Sequence, residues 1–112
     1  MDDQVAPETK GVTVELLALV DLASEIEAWP GASFECDWSP SSPEASSARS
    51  KTTRQAGTVC VLQGTITDHR DGNVTEYGPG LGWPEDRKTL HWVENRGTVP
   101  AVEVSVDIVR QD

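Results

Sequence analysis

Apolar and polar residues alternate along much of this chain with a period of two, and almost nowhere with the period of a helix. Residues 101–110 show it most clearly, with Val102, Val104, Val106 and Ile108 set against Glu103, Ser105 and Asp107. Alternation of this kind marks a strand with two unlike faces. The expectation is that the four aliphatic residues share one buried face. Residues 33–39 repeat the pattern, with Phe34, Cys36 and Trp38 against Glu35 and Asp37, and read as a half-buried strand. Residues 12–20 (VTVELLALV) are β-branched and apolar enough for another.

The stretch 57–97 organises the rest. Residues 58–62 form an apolar run ended by Gln63-Gly64, and residues 65–69 lead into Asp71-Gly72. That dipeptide predicts a two-residue hairpin, because both central positions of a type I′ turn need φ > 0. Residues 74–77 return toward Gly78-Pro79-Gly80, and runs at 81–84 and 89–94 flank a charged connection at 85–88. Strand-sized runs separated by turn residues predict an all-β antiparallel sandwich or small barrel.

Three segments interrupt the alternation. In residues 21–29, Leu22, Ile26 and Trp29 sit at helical spacing and Asp21 can cap, but Pro30-Gly31 stops the segment after barely two turns. It reads as one short helix near the N-terminus or an irregular crossover. Residues 40–48 (PSSPEASSA) read as a loop by composition. Residues 49–55 (RSKTTRQ) are polar, and their two threonines leave their state open. Residues 1–10 read as a flexible lead-in, which leaves 11–112 as one domain.

Composition narrows the function classes. At 112 residues, with 37% hydrophobic and 25% charged, the chain can bury a single core and holds no apolar run of membrane-spanning length. Its acidic start, Met1-Asp2-Asp3, is not that of a signal peptide, so the cytoplasm is the expected compartment. Cys36 and Cys60 lack metal-ligand spacing and read as two reduced, buried thiols. A net charge of −10 weighs against nucleic acid and against an anionic membrane surface as partners. The charge is uneven: ten acids and one base in residues 1–48 give −9, and nine acids and eight bases in residues 49–112 give −1.

The ordered set of turns and strands over roughly residues 33–110 resembles a cupin, the small jelly-roll β-barrel family. The family's second motif is G-x5-P-x-G-x2-H-x3-N. Gly78-x5-Pro84 and His91-x3-Asn95 fit it, while the connection from Pro84 to His91 is two residues longer and Asp86 stands where a glycine is expected. The first motif is G-x5-H-x-H-x(3,4)-E-x6-G, and Gly64 matches its last glycine. The resemblance implies an antiparallel jelly-roll barrel with a cavity at one mouth.

Most active cupins hold a metal there with three histidines and a carboxylate. Counting back from Gly64 puts Gly57 at the carboxylate position and Ser50 and Thr52, or Lys51 and Thr53, at the histidine positions. A two-residue bulge would put Gln55 in place of the acid and Arg49 and Lys51 in place of the histidines. Every alignment leaves His91 as the one imidazole in register. Arginine is never deprotonated and Ser or Thr is a poor ligand, so no metal or other cofactor is expected.

The resemblance therefore implies a small-molecule-binding barrel. Its ligand would be anionic or aromatic, with His91 as acid–base residue in a metal-independent isomerase, cyclase or lyase type of reaction. Arg49, Lys51 and Gln55 become candidates for binding, together with Trp38 and Trp83 as aromatic walls and Glu85 near the mouth. An atypical cupin metalloenzyme of dioxygenase type and a non-catalytic dimeric module are the alternatives. Cupins of this size commonly pair, and residues 12–20 form an apolar edge that would invite aggregation if left single, so a homodimer is expected.

Overall fold

One long strand, β3 (Ala32–Arg49), carries most of the pairing in this protein. The computed structural model describes residues 9–27, 30–49, 55–86 and 90–110, and at 47–49 and 55 the backbone alone. The first half of β3 lies between β2 (Glu15–Asp21) and β9 (Ala101–Arg110), which pairs Ala32–Ser41 with Arg110–Ala101. Its second half lies between β1 (Lys10–Val12) and β8 (His91–Glu94), with Ser46 opposite Glu94 and Arg49 opposite His91. β3 thereby belongs to two sheets. One runs β2-β3-β9-β4-β7, with β4 at Gln55–Gln63 and β7 at Gly82–Glu85; the other runs β1-β3-β8-β5-β6, with β5 at Ile66–Arg70 and β6 at Asn73–Tyr77. Every pairing is antiparallel, and the sheets curl into a nearly closed barrel.

Local chemistry explains the turns. Arg70 pairs with Asn73 across a loop of just Asp71 and Gly72, whose φ angles of 53° and 78° are those a type I′ hairpin demands. A single 3-10 turn at Leu22–Ser24 stands where a short helix or crossover was expected, and Asp21 Oδ1 caps it by accepting from Ala23 N at 2.9 Å. Residues 1–8 lie outside the described residues, as does Trp29.

Two expectations are corrected. Residues 40–48 are not a loop but the continuation of β3. Composition misled there because serines serve as buried strand residues: Ser39 Oγ donates to Thr13 O at 3.0 Å and Ser41 Oγ to Ala101 O at 3.4 Å. The change of sheet is accommodated at Glu44, whose φ is 69° and whose N–H donates to Asn95 O at 2.8 Å.

The second correction concerns which face is inside. On β9 the buried residues are Ala101, Val102, Glu103 and Asp107, while Val104, Val106 and Ile108 are half-buried. On β3, Ser33, Ser39 and Ser41 are buried, Phe34 is 44% exposed and Trp38 37% exposed. Register explains the coincidence. Glu35 pairs with Asp107 and Asp37 with Ser105, while Phe34 pairs with Ile108, Cys36 with Val106 and Trp38 with Val104. Directly paired residues share a face, so this part of the first sheet turns its acids inward and its apolar residues outward.

The core consists of Val59, Val61, Ile66, Trp83, Val93 and Ala101, with Tyr77 against it. The two cysteines expected inside are not part of it: Cys36 is half-buried and Cys60 exposed, because they pair with Val106 and Val104 in the outward register. Full burial of an aliphatic side chain of this size contributes roughly 1.5–3 kcal/mol. Two close approaches require glycine. A Cβ at Gly82 would meet Val59 O at 2.2 Å, and one at Gly57 would meet Val106 O at 2.2 Å.

Candidate functional site

His91 begins β8, and its alternation with Val93 turns both inward. They are 5% and 3% exposed, whereas Leu90, just before the strand, is 59% exposed. β5 pairs with β8 so that Asp68 stands opposite Val93 and Arg70 opposite His91. This brings Asp68 Oδ1 to 2.6 Å from His91 Nδ1. From the other side, Glu85 at the end of β7 brings Oε2 to 3.1 Å from His91 Nε2. The indole Nε1–H of Trp83 donates to the same Glu85 oxygen at 3.0 Å. Arg70 Nε lies 3.4 Å from Asp68 Oδ2, and Arg70 Nη2 donates to Pro84 O at 3.2 Å, tying β5 to β7 at this mouth.

Both imidazole nitrogens thus face carboxylate oxygens, an arrangement complete only when both carry protons. Burial disfavours the charged ring, but the hydrogen bonds and charges of Asp68 and Glu85 outweigh it and raise the His91 pKa above 6.5. Asp68, 2% exposed, fixes ring orientation. Glu85, with a side chain 21% exposed, is the member of the group nearest solvent. The chemistry available is proton transfer at Nε2 or at the Glu85 carboxylate, with Asp68 steadying the imidazolium.

Further acids line the inner face of the first sheet. Glu35 accepts from Ser33 Oγ at 2.7 Å. The Asp37 carboxyl is held above its ordinary value by burial and by the Glu35 charge, against a hydrogen bond from Ser105. A crevice of about 10 Å³, lined by Val12, Ser41, Ile66, Val93, Asn95 and Glu103 among others, has room for about one water and does not include His91.

Of the residues singled out from sequence, His91, Glu85 and Trp83 come together at this group. Trp38 lies on the outer face of the first sheet, away from the barrel interior. The Arg49 backbone occupies the register position opposite His91, and the Gln55 backbone pairs with Val109, but their side chains lie outside the described residues, as does Lys51 entirely. Sequence reasoning missed Asp68. The signal for it was the pairing of residues 65–69 through the Asp71-Gly72 hairpin, which sets Ile66 and Asp68 on one face, but nothing in one dimension joins Asp68 to His91.

The other histidine occupies the opposite face of the second sheet. His69 stacks on Trp92 with ring centroids 3.8 Å apart and an interplanar angle of 2°. Its Nε2 lies 2.6 Å from Glu94 Oε2, which also accepts from Arg96 Nε at 2.7 Å. Asn95, 2% exposed, shapes the turn after β8 by donating to Val99 O at 3.0 Å and accepting from Gly97 N at 2.9 Å.

Many solved structures share this fold. The cupin domain of an XRE-family transcriptional regulator from Enterobacter cloacae superposes with a TM-score of 0.68 at 18% identity, covering 92% of this chain and 100% of that one. KdgF from Halomonas gives 0.69 at 13% identity, covering 96% and 88%. A cupin-superfamily sugar phosphate isomerase from Silicibacter pomeroyi gives 0.64 at 18%, covering 94% and 76%. No family model matches the sequence, and no curated protein matches it. The fold is that of the cupin superfamily: an antiparallel jelly-roll barrel.

The metal common in that fold finds a poor donor set here. Among the described residues no group of three or more His, Cys, Asp or Glu side chains is arranged to hold an ion. His91, the one imidazole in register, has both nitrogens engaged by carboxylates. No helix in the described residues is long and apolar enough to cross a membrane.

Proposed function

We propose that this protein is a small-molecule-binding cupin whose barrel site performs metal-independent proton transfer through His91. The observation that carries this reading is the buried group Asp68–His91–Glu85, with contacts of 2.6 and 3.1 Å. The interior position of His91 meets the first requirement of an acid–base residue, and its two carboxylate partners meet the second by keeping a proton available near neutral pH. Proton removal next to a carbonyl is the step shared by isomerase, cyclase and lyase chemistry, and one neighbour of this fold is a sugar phosphate isomerase.

A bound molecule would replace Glu85 at Nε2 or lie against the Glu85 carboxylate, with the Trp83 indole holding that carboxylate in place. The described interior is rich in acids, so an anionic ligand would need cations from β3 and the segment after it. The register position of Arg49 opposite His91 supports that assignment.

The test is deuterium wash-in. Protein is incubated in deuterium oxide with a panel of small hydroxy-carbonyl compounds, with and without EDTA, and loss of C–H signal is followed by NMR. Exchange that survives EDTA and is lost in His91→Asn, with the circular dichroism of the barrel retained, supports the proposal. Exchange that requires added metal, or equal exchange in His91→Asn, overturns it.

A further inference from the structure

We propose that Arg70 anchors the ligand of the His91 site and that this ligand is an oxo acid. Its single carboxylate is held by Arg70 at the rim, and its carbonyl end reaches His91. The proposal rests on the reading of the Asp68–His91–Glu85 group as a small-molecule site, and it gives that site a substrate class. Arg70 was not among the residues singled out from sequence, because it stands beside the Asp71-Gly72 hairpin and outside both family motifs.

Position is the first argument. β5 and β8 set Arg70 directly opposite His91, and residues so paired share a face with their Cβ atoms about 4.5–5.5 Å apart. The guanidinium is tied on both sides of the imidazole. Its Nε lies 3.4 Å from Asp68 Oδ2, and the other oxygen of that carboxylate meets His91 Nδ1. Its Nη2 donates to Pro84 O at 3.2 Å, one residue before the Glu85 that meets His91 Nε2. The Arg70 side chain is 25% exposed, whereas those of Asp68 and His91 are each 2% exposed. A molecule entering from solvent therefore reaches Arg70 before the imidazole.

Unfinished bonding is the second argument. A guanidinium carries five N–H groups in a fork that matches a carboxylate. Arg70 does not close that fork on Asp68: the approach is an ion pair, and Nε makes no hydrogen bond. Its contacts with the described residues engage Nε and Nη2 and leave both N–H groups of Nη1 without an acceptor. An arginine that served only to tie β5 to β7 would be expected to grip the buried carboxylate beside it with two parallel bonds. This one keeps donors for a carboxylate from outside.

Charge decides between a carboxylate and a phosphate. With His91 protonated, Asp68, Glu85, His91 and Arg70 carry two charges of each sign. Among the described interior side chains Arg70 is the one lysine or arginine. Across the mouth, Asp107 brings its carboxylate over Gly57, and Glu35 pairs with Asp107 on the next strand. A phosphate would bring roughly two negative charges to a single guanidinium, and a carboxylate brings one. The acids behind the rim also orient the ligand. Its charged end stays at Arg70, and its neutral carbonyl end enters toward His91.

The test is binding followed by NMR through the Trp83 indole N–H and the His91 ring protons. The probes are 4-oxopentanoate, its methyl ester and dihydroxyacetone phosphate. The wild type should bind 4-oxopentanoate roughly tenfold more tightly than either of the others. Arg70→Met should weaken 4-oxopentanoate by about the same factor, to the level of the ester, and Arg70→Lys, which keeps the charge without the fork, should recover part of the loss. Should Arg70→Met fail to fold, arginine-labelled wild type decides: the Arg70 guanidinium signal should move with 4-oxopentanoate and not with the ester. No saturable binding of 4-oxopentanoate, equal binding of acid and ester, tighter binding of the phosphate, or equal loss of acid and ester in Arg70→Met would overturn the proposal. Deuterium wash-in keeps the two readings apart. Preference for the acid without exchange of its C–H groups supports Arg70 as anchor and removes His91 as the proton-transfer residue. Exchange on carbonyl compounds with no preference for the acid supports His91 and overturns the role of Arg70.

Discussion

Replacing Asp68 by Asn tests the electrostatics of the His91 group with little change in shape. The asparagine oxygen can still accept from Nδ1–H, but the charge opposite the imidazole is gone. A hydrogen bond to a charged partner contributes about 1.5–3 kcal/mol and a neutral one about 0.5–1.5. Asp68→Asn should therefore cost on the order of 1.5–3 kcal/mol at pH 6, where the ring is protonated, and less at high pH, where it is neutral.

The sign follows from the raised pKa of the folded state. Stabilisation by His91 is fully present below the unfolded value of 6.5 and is lost as pH rises through the folded value. Between the two, the folded protein holds one more proton than the unfolded chain, and stability falls by up to about 1.4 kcal/mol per pH unit. Urea denaturation at half-unit steps from pH 5.5 to 9 would show this slope in the wild type and a flatter one in Asp68→Asn. Imidazole proton chemical shifts would place the His91 titration above 6.5 in the wild type and lower in the variant. A wild-type titration at or below 6.5, or one unmoved by Asp68→Asn, would refute the reasoning.

Other predictions rest on packing and turn geometry. Ile66, 2% exposed in the core, should lose about 0.5–1.5 kcal/mol on change to Val and about 2–5 on change to Ala, measured by chemical denaturation. Gly82→Ala forces a Cβ to within 2.2 Å of Val59 O and should cost roughly 1–3 kcal/mol by separating β7 from β4, seen as a lowered Tm. Gly72→Ala puts a side chain at φ 78° and should cost about 1–2 kcal/mol, whereas Asp71→Asn should be nearly neutral because Asn tolerates that region. EDTA or added Mn, Fe, Ni or Zn should leave Tm unchanged; a tightly bound ion at a hundredfold excess over its Kd would instead contribute about 2.7 kcal/mol.

Architecture was legible because its signals are local. Asp71-Gly72 specifies its own turn, and alternation over residues 33–39 and 101–110 specifies strands whatever surrounds them. The same alternation shows that two faces differ without showing which one meets the interior. That assignment depends on whether a barrel fills itself with apolar side chains, and here the inner side of β3 and β9 is acidic. Residues 40–48 were misread because serine and proline ordinarily mark loops, whereas these serines find carbonyl partners across the sheets. At the site, His91 and Glu85 were within reach of motif spacing. Asp68, 23 residues before His91 along the chain, enters only through the register of β5 against β8.

The shared strand has a consequence for how the molecule assembles. β3 finds β1 and β2 early in the chain, but its other edge waits for β8 and β9, which complete pairing only at Ala101–Arg110. β4 likewise has no neighbour until β7 and β9 exist. Such closure over long sequence separations is slow, because the entropy of joining distant segments is lost before their contacts form. On a ribosome, one edge of β3 and both edges of β4 would therefore stay unpaired until almost the whole described chain had emerged. A nascent chain halted before Ala101 should be protease-sensitive throughout rather than half-folded.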